Sequence, residues 1–133
     1  MAHRIIQPDG WVPAKGYANG MMSADGHLFI GGQIGWTGAQ IFEAKEFIGQ
    51  MKQALRNVRD IVEAAGGRVE DITRMTWYVT DKKEYLAAQG DVGRAYREVL
   101  GRHFPAMAMV VVADLIEDEA KIEIEADAVI QPR

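Results

Sequence analysis

Between about residue 43 and Ala65, apolar side chains recur at three- and four-residue steps: Phe47, Met51, Ala54, Leu55, Val58, Ile61, Val62 and Ala65. Lys45, Lys52, Arg56, Arg59 and Glu63 fall on the other side. This pattern predicts an amphipathic helix, stopped by Gly66-Gly67. On either side the period shortens to that of extended chain. "MMSADGHLFIGGQI" holds two short runs around Ala24-Asp25-Gly26, and Asp-Gly between apolar stretches predicts a hairpin. "ITRMTWYVTD", rich in β-branched and aromatic residues, predicts a strand running into Asp81-Lys82-Lys83-Glu84, whose end residues have the spacing of a capping box. A second helix is expected from there. Its core stripe would be Tyr85, Leu86, Val92, Tyr96, Val99 and Leu100, weakened by Gly90 and Gly93 and ended by Gly101.

Two further strands are expected at "AMAMVVVADL" and "KIEIEADAVI", joined by an acidic turn, with a short one at "HRIIQ". The order predicts an α+β fold, in which right-handed crossovers set two helices on one face of a mixed sheet. The other face is then bare. In the strand after Pro105, Met107, Met109, Val111 and Ala113 share one side and Ala106, Ala108, Val110 and Val112 the other, so both sides are apolar. Residual apolar area of that kind predicts a homo-oligomer that buries the open face between subunits.

Composition narrows the class. At 133 residues and 48% hydrophobic content, residues 1–133 read as one globular domain that buries roughly two thirds of its unfolded surface. The absence of cysteine excludes disulfides, thiolate metal sites and a cysteine nucleophile. No apolar run reaches the ~18 residues of a membrane span, and "MAHRIIQPDGW" lacks the apolar core of a signal peptide, so the expected location is the cytoplasm. A net charge of -4 with scattered basic residues argues against nucleic-acid binding.

Little of the chain points to ready-made chemistry. Ser23, the one serine, lies beside the predicted hairpin turn, and His3, His27 and His103 lack paired ligand spacing. Neither a metal nor a cofactor is expected. "GGQIGWTG" matches no phosphate-binding fingerprint; its glycines suit a close backbone approach to a neighbour or a ligand. Trp36 beside them either packs at the oligomer interface or forms an apolar wall for a ligand. The last strand sets Glu123, Glu125 and Asp127 against Ile122, Ile124, Ala126 and Ala128. An acidic side in solvent needs no further account. At a subunit contact, a carboxylate there would be partly desolvated, its pKa would rise, and it could act as a general acid or base or position a water.

"GYANG", "LFIGGQI", "QALRNVRDIVEAAGG", "ITRMTWYVTD", "FPAMA" and "KIEIEADAV" together resemble, in order and over nearly the whole chain, the Rid/YjgF family of enamine and imine deaminases. The resemblance implies the chorismate-mutase-like α+β fold and a homotrimer with a central barrel and clefts between adjacent subunits, each taking a small-molecule ligand. It also implies site residues: Tyr17 in "GYANG", Gly32 for backbone contacts, and Glu123, the first glutamate of "EIE", to orient the attacking water. In the family's deaminases a Pro-Ala-Arg motif supplies the arginine that holds the substrate carboxylate. Here Pro105 and Ala106 are followed by Met107, and Ala108 replaces a residue that is often small and polar.

A thioether cannot imitate a guanidinium fork. Losing such a partner costs about 2–5 kcal/mol, which is roughly 30- to several thousand-fold in affinity. Two functions stay open. In one, the chain still deaminates a reactive enamine or imine, less acidic or more aromatic than a simple 2-imino acid, against Met107, Met109 and Trp36. In the other, catalysis has lapsed and the trimer binds a small molecule or a partner. Plain core packing competes as the account of Met107.

Overall fold

A computed structural model describes residues 2–133. The strands are β1 (Arg4–Ile6), β2 (Gly20–Met22), β3 (His27–Ile34), β4 (Ile72–Val79), β5 (Ala106–Val111) and β6 (Ile122–Val129). They form one sheet in the order β1-β2-β3-β6-β4-β5. β4 and β5 are parallel and every other neighbouring pair is antiparallel. The last strand in sequence therefore sits in the middle of the sheet.

Helix α1 (Phe47–Ala64) buries all the expected apolar positions from Phe47 to Ala65. Burying each of its large aliphatic side chains contributes about 1.5–3 kcal/mol. Beyond Ala65, Gly66 adopts φ 86°, its N–H bonds the Glu63 carbonyl, and the Gly67 N–H bonds that of Val62. This pairing is a Schellman stop, which needs a residue tolerant of the left-handed region at Gly66. The hairpin turns as expected: Gly26 has φ 90° and the Ser23 N–H bonds the His27 carbonyl at 2.8 Å.

The second helix differs from expectation. It is two helices, α2 (Lys82–Ala87) and α3 (Gln89–Leu100), so the sheet carries three among the described residues, not two. Asp81 caps α2 by accepting from the Glu84 N–H at 3.0 Å. The chain then turns at Ala88, with φ −109° and ψ 12°. Only α3 carries a buried stripe, in which Val92, Ala95, Tyr96, Val99 and Leu100 pack on α1 and the sheet. Leu86 is an exposed residue, a correction to its place in the expected core. A six-residue helix with no buried residue has nothing to hold it collinear with the next.

The helices cover one face, as expected. Met75, Trp77 and Val79 of β4 and Ile122, Ile124, Ala126 and Ala128 of β6 point into the helical layer and are nearly inaccessible. Across the layer the Trp77 ring lies 6.4 Å from that of Tyr96. The opposite face is not the bare apolar surface the β5 sequence suggested. Its middle strands carry polar groups, with exposed apolar side chains at Phe29, Val110 and Val129 towards the flanks.

Candidate functional site

The carboxylates of β6 alternate with its buried residues and so stand on the open face. Opposite Glu125, β3 bulges: Ile30 pairs with Ala126 and Gln33 with Ile124, leaving Gly31-Gly32 against one residue of β6. The bulge sets Gly32 beneath the Glu123 side chain. A Cβ on Gly32 would fall 2.2 Å from Glu123 Oε2. A side chain there would displace the carboxylate, which rests against bare backbone.

Glu123 is half-buried. Burial, followed by the like charge of Glu125, raises its pKa above the ordinary glutamate value. Glu125 is held differently. The Tyr78 hydroxyl of β4 donates to its Oε1 at 2.6 Å, a bond that in turn raises the tyrosine pKa. Further along the strand, Asp127 accepts from Arg74 at 3.1 Å and lies 3.2 Å from His27 Nε2. The open face thus holds one carboxylate engaged by a phenol, one by a guanidinium and an imidazole, and Glu123, whose pKa shift has no hydrogen-bond contribution.

The expected site residues fall in three places. Gly32 and Glu123 touch. Tyr17, 54% exposed in the segment before β2, shares a groove with Trp36 just past β3. Met107 and Ala108 lie on the edge strand β5, on opposite sides. Met107 pairs with Met75 and so faces the helical side, 44% exposed, whereas Ala108 pairs with Thr76 on the open side. Glu123 and Met107 are therefore separated by β4 and by the thickness of the sheet. Gln33 and His103 take structural roles: Gln33 is buried and donates to Asn19 Oδ1 and the Gly31 carbonyl, and the His103 ring meets the Ile72 carbonyl at 2.7 Å.

Sequence reasoning missed Tyr78 and Arg74. The available signal was alternation in β4, where Arg74, Thr76 and Tyr78 share a side that only an acidic neighbouring strand would pair. Among the described residues, no group of three or more histidine and carboxylate side chains is gathered to hold a metal ion. No helix among them is long and apolar enough to cross a membrane.

The family model for endoribonuclease L-PSP matches residues 9–130. The chain belongs to that family. Its mixed α+β sheet is the family's fold: the solved structure of Escherichia coli TdcF with bound serine superposes with a TM-score of 0.80, at 32% identity over 96% of this chain and 99% of that one. A RutC family protein of Aquifex aeolicus is 34% identical over 126 residues, 92% of this chain and 96% of its own. A protein of Salmonella typhimurium named 2-iminobutanoate/2-iminopropanoate deaminase is 42% identical over 89 residues, 65% of this chain. In such matches the chain spans slightly under two thirds of the length of the curated relatives, 66% for the Salmonella protein.

Proposed function

We propose that this L-PSP family chain hydrolyses a reactive enamine or imine to a carbonyl compound and ammonia, working as a single cytoplasmic domain in a homotrimer. The observation that carries the reading is Glu123, half-buried over the bare backbone of Gly32 with its pKa raised. The deaminase name of the Salmonella relative supports the reaction class.

The reaction needs a group that moves one proton twice. Glu123 takes a proton from water as the oxygen attacks the imine carbon and passes it to the nitrogen, giving a carbinolamine. It then takes the hydroxyl proton as the C–N bond breaks and delivers it to the departing ammonia, leaving the C=O bond. A carboxylate whose pKa lies closer to neutrality suits both transfers. Tyr17 offers its hydroxyl to the reacting group, and Gly32 offers backbone to the substrate.

The separation of Glu123 from Met107 across the sheet supports a cleft shared between copies, with Gly32 and Glu123 from one chain and Met107 and Ala108 from the exposed edge strand of another. Trp36 supplies an apolar wall. With a methionine where the family's arginine falls, the substrate is not a simple 2-imino acid. The same methionine favours the second reading, a trimer that binds a small molecule without turning it over.

The test is ammonia release from freshly generated imines with acidic, neutral and aromatic side chains. Native protein is compared with Glu123→Gln and Met107→Arg, and mass is followed by light scattering. Turnover of an aromatic imine that Glu123→Gln abolishes, with preference moving to short aliphatic acids in Met107→Arg, is the expected result. Equal turnover by native protein and Glu123→Gln removes Glu123 from the mechanism. A monomer mass removes the shared cleft, and inactive trimers throughout leave the binding reading.

A further inference from the structure

Tyr17 and Trp36 face a groove of about 450 Å³ that also takes in Val12, Pro13, Lys15 and Gln40. Its two lips, the segment before β2 and the turn after β3, are tied together. The Val12 N–H bonds the Gly38 carbonyl at 2.9 Å, and Gly38 lies so close to the Trp11 ring that a Cβ there would fall 2.4 Å from a ring carbon. Trp36 is braced from beneath as well. Asn57, buried on α1, donates to its carbonyl at 2.8 Å and to that of Ile34 at 3.2 Å, and the Phe42 ring packs 5.8 Å away at 48°. Gln40 holds φ 62°, the left-handed region that non-glycine residues seldom occupy. It is kept there by the turn in which Thr37 and Ile41 bond. These walls are set before any ligand arrives, as small-molecule sites generally are.

The lining combines two aromatic rings, an apolar lip and one cation. Lys45, Lys52 and Lys121 each pair with a glutamate, whereas Lys15, like Lys82 and Lys83 on α2, has no ion-pair partner among the described residues, and of these three only Lys15 lines the groove. An unpaired lysine beside Tyr17 and Trp36 is complementary to an anion attached to a ring. We propose that this groove binds a planar aromatic molecule bearing a carboxylate, its ring against Trp36 and Tyr17 and its anion at Lys15. The identification of that molecule as substrate rests on the deaminase reading, through Tyr17. On that reading Lys15 meets the acid group as a point charge, in place of an arginine fork, and an aromatic acid is preferred to a short aliphatic one.

The test is direct binding, independent of turnover: calorimetric titration of the whole protein with phenylacetate, 2-phenylethanol and acetate, repeated with Lys15→Met. Phenylacetate is expected to bind more tightly than either of the others. Lys15→Met should weaken it about two- to fivefold, the size of one exposed ion pair, and leave 2-phenylethanol unchanged. Equal affinity for phenylacetate and 2-phenylethanol, equal affinity for phenylacetate and acetate, or no effect of Lys15→Met would each overturn the proposal. Failure of the deaminase reading has a different signature, because a protein that releases no ammonia would still show the phenylacetate preference.

Discussion

The same strands build two unlike faces of the sheet. On the helical side, Met75, Trp77 and Val79 of β4 meet Ile122, Ile124 and Ala126 of β6 under α1 and α3, and apolar burial within one chain completes the packing. On the open side, one residue along each strand, Arg74 and Tyr78 meet Asp127 and Glu125, and Glu123 lies against glycine backbone. The difference teaches that stability and chemistry are separated by the pleat. The covered side of β4 and β6 is apolar, and their carboxylates, phenol and guanidinium stand on the open side.

The largest expected effect breaks the covered face. Leu55→Ala, at a fully buried position, should cost about 2–5 kcal/mol of unfolding free energy in urea, since it leaves a cavity that the neighbours only partly fill. Val110→Asp is the counterpart on the open face, where the side chain is exposed. It should retain the helical signal by circular dichroism while lowering the assembled mass in light scattering. Retained mass would remove the open face from the interface.

Next is Gly32→Ala. Its Cβ would arrive 2.2 Å from Glu123 Oε2 and push the carboxylate aside, whereas the flexible end of a glutamate can yield without unfolding the sheet. Ammonia release should fall on the order of 10- to 100-fold, with the melting transition retained. An active Gly32→Ala protein would show that the position of Glu123 over the backbone is unimportant.

A smaller effect concerns pH. Glu123 has a folded-state pKa raised above its ordinary value, so the folded protein holds that proton more tightly than the unfolded chain. Its contribution to stability is present below the unfolded pKa and lost as pH rises through the raised value. Urea midpoints at about pH 4 and about pH 7 should therefore drop further for native protein than for Glu123→Gln. Parallel changes would place the pH dependence elsewhere. Smallest of all, Glu125→Gln removes the like charge that adds to burial in raising the Glu123 pKa. The acid limb of the ammonia-release profile should move slightly to lower pH, and an unmoved limb would uncouple the two glutamates.

Much of this comparison was legible beforehand. The alternation of Glu123, Glu125 and Asp127 with Ile122, Ile124 and Ala126 divides the strand between two environments, and the structure gives each set its own face. The α1 stripe was legible for the same reason, as was its glycine stop, because both are local patterns of side chain and backbone. Leu86 was misread because a continuous helix was assumed through Ala88, where α2 ends and α3 begins. Tyr78 and Arg74 went unnoticed because their partners lie 47 and 53 residues away on β6.

Local pattern was enough for the strands, for α1 and its stop, and for the sides of each strand, since periodicity, φ preference and the missing side chain of glycine act over a few residues, whereas the break between α2 and α3 left no such mark. Only the tertiary structure decided that β6 enters between β3 and β4, that a bulge carries Gly32 beneath Glu123, and that Met107 stands on the opposite side of the sheet. Register between distant strands is set by which buried surfaces fit together, and that fit exists only once the whole sheet has closed over its helices.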